Sequence, residues 1–302
     1  MPNSRITRHL ASAVVLLCCT QALAQTSRPD TIRDRIWIWG HPAGVYKESF
    51  LANLPQKSTI EPVAAADYMG IRNMIFVRYD GKPVPPFDTY YQPFQKLDRV
   101  YWSLVGASGV TSADERDQVF QLAEKHQNVV GFILDDFFRS NVTGPGTDPD
   151  TETGDVTPFE ASLTPQELRL LAQRKVRGEK LPIMAVVYTG QISQRAKAHV
   201  AEVDQVCLWT WRPADLQDLE GNLTQLEKLI GDKPVFLGCY MYDFAGQRPL
   251  PVELMQQQTE LGYKWLQQGR IQGLIFLATP NVDVDLEAVA WTRQWIARLG
   301  DQ

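Results

Sequence analysis

The strongest constraint on the fold is a series of eight short apolar runs separated by segments of helical character. Each run has four to seven residues, is rich in Val, Ile, Phe or Trp, and shows little polar alternation. Such runs suit strands that are buried on both faces, as in a parallel sheet. The predicted strands are 36–39, 73–79, 100–104, 129–134, 183–187, 206–210, 235–240 and 273–277.

Helix start signals follow several of these runs. Ser112 precedes a helical pattern that reaches residue 126, and Thr164-Pro165-Gln166-Glu167 opens another that reaches about residue 177. Further helices are predicted over 62–69, 214–230, 252–268 and 286–299.

The alternation of strands and helices predicts the fold class. Eight strand–helix repeats in about 265 residues have the size and order of a (β/α)8 barrel. A doubly wound open sheet is the alternative, but the turn at 39–44 lacks the glycine spacing of a phosphate-binding turn. We therefore predict an α/β fold, a single (β/α)8 (TIM) barrel over residues 25–302.

The first 24 residues have the pattern of a secretory signal peptide. Arg5 and Arg8 precede an apolar run at 10–19, and Ala22-Leu23-Ala24 supplies a small-x-small cleavage pattern. The run is shorter than a bilayer span requires, and a buried N-terminal helix is the alternative. We expect residues 1–24 to be removed and the mature protein to be secreted or periplasmic, without membrane association after cleavage.

Composition narrows the partners and cofactors that we expect. With 30 basic and 35 acidic residues, the chain lacks the basic excess that a nucleic-acid partner requires. Its four His lie in no ligand spacing, so we expect no metal and no cofactor. The acidic segment 148–155 could hold calcium, although a solvated loop is favoured.

Cys207 and Cys239 lie in predicted strands and should be buried thiols, with a disulfide as the alternative.

Two neighbouring carboxylates follow the fourth predicted strand, at the barrel end where enzymes of this fold build their sites. In a partly dry pocket, Asp135 and Asp136 would repel each other, which raises the pKa of at least one and retains a proton near neutral pH. A general acid that protonates a glycosidic oxygen needs such a proton. The alternative is that one Asp caps a turn and the other faces solvent.

Aromatic and polar side chains near the other strand ends predict contacts with a sugar. Rings stack on the C–H faces of sugars, although several Trp could instead fill the core. Asp243 could alternatively be the nucleophile of a double-displacement glycosidase, and His41 a structural turn residue. The predicted substrate-binding residues are Trp39, His41, Arg78, Tyr188, Trp209, Trp211, Tyr240, Tyr242 and Asp243.

The segment Phe132-Ile133-Leu134-Asp135-Asp136 resembles the fourth-strand signature of the retaining (β/α)8 N-acetylglucosaminidases of the O-GlcNAcase/hyaluronidase type. In that family the acetamide oxygen of the substrate is the nucleophile. The resemblance implies that Asp135 orients the acetamide N–H and that Asp136 is the general acid/base. It also implies that Tyr188 binds the acetamide oxygen and Asp243 the sugar hydroxyls. The first-strand Gly-Phe-Tyr-Gly of that family is absent here.

Together these observations predict a secreted glycoside hydrolase that cleaves an oligosaccharide or glycan by a substrate-assisted, retaining mechanism. Two alternatives stay open. One is a double-displacement glycosidase with Asp243 as nucleophile. The other is a non-catalytic carbohydrate-binding TIM barrel.

Overall fold

A computed structural model describes residues 31–138 and 158–299, which belong to one compact unit. The predicted signal peptide and the acidic segment 148–155 lie outside the described residues. Within the two described ranges, no helix has both the length and the apolar character needed to cross a membrane.

Eight parallel strands close into a barrel, which confirms the predicted fold class. Neighbouring barrel strands are neighbours in the chain, and pairing of the last with the first completes the ring. The barrel strands are β1 (Ile36–Gly40), β2 (Asn73–Phe76), β3 (Arg99–Val105), β4 (Val129–Leu134), β5 (Ile183–Tyr188), β6 (Gln205–Trp209), β7 (Val235–Tyr240) and β10 (Gly273–Leu277). Between β7 and β10 lies an unpredicted antiparallel pair, β8 (Tyr242–Asp243) and β9 (Arg248–Pro249).

Helices occupy most of the connections between barrel strands. They are α1 (Pro62–Met69), α2 (Asp88–Tyr91), α3 (Ala113–Lys125), α4 (Pro165–Ala172), α5 (Lys197–Val200), α6 (Leu219–Ile230), α7 (Val252–Gln267) and α8 (Glu287–Leu299). Helix α3 begins directly after the predicted start residue Ser112, and a capping box closes this end: the Glu115 backbone N–H donates to Ser112 Oγ and the Ser112 N–H donates to Glu115 Oε2. Thr164 and Glu167 cap α4 in the same way.

Three elements differ from their predicted bounds by more than one residue. Helix α4 ends at Ala172 and not near residue 177; at Arg177 the φ of 53° lies in the left-handed region that no right-handed helix adopts. Residues 213–218 form a 3-10 turn, so α6 begins at Leu219. Strand β2 ends at Phe76, and the chain then folds back so that Tyr79 pairs with Lys82.

Tryptophan side chains fill much of the barrel interior. Trp39 and Trp209 lie at 5.3 Å between ring centroids in an edge-to-face arrangement. A Cβ at Gly238 would lie 2.1 Å from the Trp209 ring, so only glycine leaves room for that indole. The Trp209 indole N–H donates to the Cys207 sulfur at 3.4 Å. Cys207 and Cys239 are both buried and free, as expected.

Candidate active site

A cavity of about 160 Å³ lies at the carboxyl ends of the barrel strands. Its walls come from six strand ends and from loops that follow β1, β2, β3, β6 and β7. The lining residues are Trp39, His41, Tyr46, Phe50, Tyr79, Ala107, Ser108, Asp135, Asp136, Tyr188, Trp209, Trp211, Tyr240, Phe244 and Leu277.

The backbone turns sharply where β4 ends, and this turn places both carboxylates in the cavity lining. The Asp135 N–H still donates to the Val105 carbonyl of β3 at 3.0 Å. The next residue, Asp136, has a φ of 43°, in the left-handed region. Side chains other than glycine rarely adopt this conformation, and such residues concentrate at functional sites.

Two donors hold the Asp136 carboxylate. The Tyr188 hydroxyl donates to Oδ1 at 2.9 Å, and the Ser108 backbone N–H donates to Oδ2 at 2.8 Å. A backbone N–H can only donate, so Asp136 Oδ2 is the acceptor in this bond. Ser108 itself has a φ of 60° in the tight loop after β3, so both partners of this bond have strained backbones.

Asp135 lies deeper, with 6% of its surface exposed. Burial, followed by the charge of Asp136, raises the pKa of the Asp135 carboxyl well above its ordinary value, and a hydrogen bond from the Asp136 backbone opposes this shift. The two carboxyls thus lie in different environments, and different environments give neighbouring carboxyls different pKa values. The raised pKa favours the protonated form of Asp135, which lies beside the hydrogen-bonded carboxyl of Asp136.

His41 is a neutral support for Trp39. The Trp39 indole N–H donates to His41 Nε2 at 3.1 Å, so the other ring nitrogen, Nδ1, carries the proton and donates to the Val77 carbonyl at 2.9 Å. Burial lowers the pKa of His41 to about 4. Although His41 lines the cavity, both of its ring nitrogens already have hydrogen-bond partners. No ring nitrogen is left for the predicted contact with a sugar hydroxyl.

Three rings from three different loops form one side of the cavity, and we call Phe50, Trp211 and Phe244 the aromatic wall. The Phe244 centroid lies 5.2 Å from that of Phe50 and 6.2 Å from that of Trp211. Trp211 is 38% exposed, which makes it the wall residue most open to solvent. Exposed rings of this kind present an apolar face to a ligand.

Two tyrosines connect the aromatic wall with the carboxylates. Trp211 of the aromatic wall packs edge-to-face against Tyr188 at 6.3 Å and against Tyr240 at 5.8 Å between ring centroids, and Tyr188 in turn donates to Asp136. Burial, followed by nearby charges, raises the pKa of both hydroxyls well above the usual value, so both stay protonated and can donate.

The structure places three predicted substrate-binding residues outside the cavity lining. The Arg78 guanidinium donates to the Pro83 carbonyl at 3.0 Å and pairs with Glu115 at 3.0 Å. The Tyr242 hydroxyl donates to the Phe50 carbonyl at 3.0 Å. For these two, as for the third residue, partners within the protein satisfy the polar group, and this geometry does not support the predicted sugar contact.

The third of these residues, Asp243, also bears on the alternative mechanism. Its Oδ1 accepts from the Gly246 N–H at 2.7 Å, and its Oδ2 accepts from Arg248 Nε at 2.9 Å across the β8–β9 pair. A carboxylate that is held in this way and lies outside the cavity lining is poorly placed to attack a sugar. The predicted role as nucleophile is therefore not supported by this geometry.

Sequence reasoning missed seven lining residues, of which two, Ala107 and Leu277, contribute neither a ring nor a polar side chain. Tyr46, Phe50 and Phe244 lie in loops beyond the strand ends, where aromatic residues carry no periodic signal. Tyr79 follows β2 but was not assigned to the site. Ser108 contributes through its backbone, and the signal available for it is the glycine pair of Gly106-Ala107-Ser108-Gly109, which indicates a tight turn.

No cluster of three or more His, Cys, Asp or Glu side chains that could hold a metal ion occurs within 31–138 or 158–299. The cavity lining offers two carboxylates, hydroxyls and aromatic rings instead. This donor set suits hydrogen bonding to a polyol and proton transfer.

Comparisons with known proteins show the fold of the chain. No protein-family model matches it, and no curated protein matches it. Among solved structures it is similar to a putative alpha-L-fucosidase from Bacteroides thetaiotaomicron, with a TM-score of 0.51 and 10% identity over 92% of this chain and 100% of that one. It is also similar to a beta-D-glucuronidase from Dictyoglomus thermophilum, with a TM-score of 0.50 and 10% identity over 88% of this chain and 51% of that one. At such identity the likeness is one of barrel architecture.

Proposed function

We propose that the protein is a glycoside hydrolase that acts on 2-acetamido sugars by a substrate-assisted mechanism. One observation carries the proposal: two adjacent carboxyls with different environments, Asp135 and Asp136, line an aromatic cavity at the carboxyl end of a (β/α)8 barrel. The fold shared with a fucosidase and a glucuronidase agrees with a sugar substrate, since this architecture hosts such chemistry, but fold alone does not specify it.

The positions of the carboxylates favour assistance by the substrate. Conventional glycosidases use two carboxyls on opposite sides of the scissile bond, about 5–9.5 Å apart. The described lining residues include two carboxylates, and these are neighbours in the chain, so they approach from one wall. Asp243 is held elsewhere by Arg248. If the acetamide oxygen of the substrate is the nucleophile, no carboxylate is needed on the opposite side of the scissile bond.

The proposed reaction starts from the proton on Asp135. That proton passes to the glycosidic oxygen as the bond from this oxygen to the anomeric carbon breaks, and the acetamide oxygen bonds to the same carbon. The Asp136 carboxylate accepts the acetamide N–H and stabilises the positive charge that develops on the ring. Water then attacks the anomeric carbon, gives its proton back to Asp135, and opens the cyclic intermediate with net retention.

This assignment reverses the roles that the family resemblance implies for the two aspartates. It follows from the donors on Asp136, because a carboxylate that accepts from the Ser108 N–H and the Tyr188 hydroxyl is stabilised in its charged form. Asp135 has burial instead, which favours the form that holds a proton.

The test is hydrolysis of the α- and β-anomers of 4-methylumbelliferyl N-acetylglucosaminide and N-acetylgalactosaminide, and of chitooligosaccharides, by residues 25–302. We expect turnover, inhibition by a thiazoline mimic of the cyclic intermediate, and losses of about 10³-fold or more on the oligosaccharide in Asp135→Asn and Asp136→Asn. Asp135→Asn should lose much less on the aryl substrate, whose leaving group needs little protonation, whereas Asp136→Asn should lose on both.

Asp243→Asn is the matched control, because it removes a carboxylate that lies outside the cavity lining. Its kcat should stay within about threefold of the wild-type value, since the amide oxygen of Asn can still accept from the Gly246 N–H and the side chain does not line the cavity. A glycosyl azide formed by Asp243→Ala in the presence of azide would instead establish the double-displacement alternative. Sugar binding without turnover of any substrate would point to a non-catalytic barrel.

A further inference from the structure

The cavity walls that the structure describes are either negatively charged or apolar. The Asp136 carboxylate supplies a charge, and the aromatic wall presents rings whose faces are also electron-rich. Among the described lining residues there is no Lys or Arg, and His41 is neutral above pH 5 because its pKa lies near 4.

Two arginines in the surrounding loops are turned to other partners. Arg78 is buried, pairs with Glu115 of α3, and also donates to the carbonyls of Gly81 and Pro83 in its own loop. Arg248 pairs with Asp243. Each would have to leave a formed ion pair before it could meet a ligand in the cavity, and breaking a pair with a buried partner is unfavourable.

We propose that the cavity selects an uncharged sugar and rejects one that carries a sulfate or carboxylate substituent. The inference rests on the proposed function, and it adds the charge class of the substrate to it. An anionic substituent inside the cavity would lose its hydration and would be repelled by the charge of Asp136. No Lys or Arg among the described lining residues would compensate its charge. A neutral ring keeps its hydroxyls for Asp136, Tyr188 and Tyr240 and stacks its C–H face on the aromatic wall.

A matched substrate pair tests this selection. The substrates are 4-methylumbelliferyl N-acetyl-β-D-glucosaminide and its 6-sulfate, which differ only in the anionic group. We expect kcat/KM for the sulfate to be lower by about 50- to 100-fold, the factor by which two unit charges about 7 Å apart repel at an effective dielectric constant of about 20. The ratio should narrow as salt is raised from 20 to 500 mM, because salt screens the repulsion at a partly open site.

A charge introduced into the aromatic wall gives the second measurement. Phe50 is half-buried at the cavity edge, so the long side chain of Phe50→Lys can place an ammonium near the substrate. Phe50→Leu is the control, since it removes the ring without adding a charge. We expect the preference for the neutral substrate to fall at least about tenfold in Phe50→Lys relative to Phe50→Leu.

The outcomes separate this inference from the proposed function. Turnover of the neutral substrate with the preference described supports both. Equal or faster turnover of the sulfate, with Asp136→Asn inactive on it, overturns the charge selection and leaves the proposed function standing. Failure to hydrolyse either this pair or any substrate of the panel overturns the proposed function and the selection together.

Discussion

The Tyr188 hydroxyl is the one side-chain group that donates directly to the Asp136 carboxylate in the described part of the site. Because hydrogen bonds to charged groups contribute about 1.5–3 kcal/mol, Tyr188→Phe should lower kcat by about 10- to 100-fold. KM should change by less than about threefold, since the ring remains in place to line the cavity. Steady-state kinetics on the best substrate of the panel provides the measurement.

Tyr242→Phe is the matched control for Tyr188→Phe. It also removes a buried tyrosine hydroxyl, but that hydroxyl donates to the Phe50 backbone and lies outside the cavity lining. We expect kcat within about threefold of wild type in this variant. Equal losses in the two variants would contradict a specific role of Tyr188 at Asp136.

At the residue scale, side chains that immediately follow strand ends could be assigned to the cavity from the sequence. Asp135, Asp136 and Tyr188 are placed by the barrel itself, because the carboxyl ends of parallel strands meet at one face. Arg78 and Asp243 also lie near strand ends, yet the chain turns there and gives each a partner in its own loop. Hydrogen bonds within a loop depend on backbone angles that a residue pattern does not specify.

The loop between β3 and α3 is the element that presents the Ser108 N–H to Asp136. Gly109 has a φ of +69°, and a Cβ there would lie 2.6 Å from Ser162 Oγ and 3.0 Å from the Asp136 carbonyl oxygen. Gly109→Ala should therefore displace the segment that carries Asp136, lower kcat by at least about tenfold, and destabilise the fold by about 1–3 kcal/mol. Kinetics and urea unfolding measure the two effects.

Gly269 offers a control with the same backbone conformation. It also has a φ of +69°, but a Cβ at this position meets no atom within 4 Å. Gly269→Ala should lose about 1 kcal/mol for the left-handed conformation and keep its kcat. Unchanged kinetics in Gly109→Ala would show that the β3–α3 loop does not position Asp136.

At the element scale, the periodic and capping signals predicted most strands and the helix starts. Three strands have the predicted bounds, namely 129–134, 235–240 and 273–277. Helices α3 and α4 begin where the start signals at Ser112 and Thr164 indicate. The signal was weakest where tertiary contacts determine the conformation. The β8–β9 pair is an example, since its two residues per strand are too few to show any period.

For the whole molecule, the buried Asp135 carboxyl makes stability depend on pH. Its pKa is raised in the folded state, whereas an unfolded Asp ionises near pH 4. Between these two values the folded protein binds the extra proton, so the free energy of unfolding falls as pH rises. Asp135→Asn cannot ionise and should be more stable than wild type at pH 8 by about 1 kcal/mol or more, with the difference vanishing near pH 4.

Urea unfolding of both proteins at pH 4.5 and pH 8 measures this difference. An Asp135→Asn variant that is stabilised but has lost activity on the oligosaccharide is the expected pattern when a functional group is held in an unfavourable environment. A variant less stable than wild type at pH 8 would contradict the proposed burial of a proton at this residue.

The closed ring was the most predictable property of the whole molecule, because eight doubly buried strands with intervening helices leave few other architectures. The composition of the aromatic wall was the least predictable. Phe50, Trp211 and Phe244 come from three loops that are distant in the chain and meet only once the barrel has closed.

The bonded imidazole of His41 has a practical consequence for enzymology. Since its two nitrogens are committed to an indole and a peptide carbonyl, no proton enters or leaves this ring across the range in which histidines usually titrate. A bell-shaped rate profile recorded from pH 5 to pH 9 therefore reports on the aspartate pair without an imidazole contribution from the cavity.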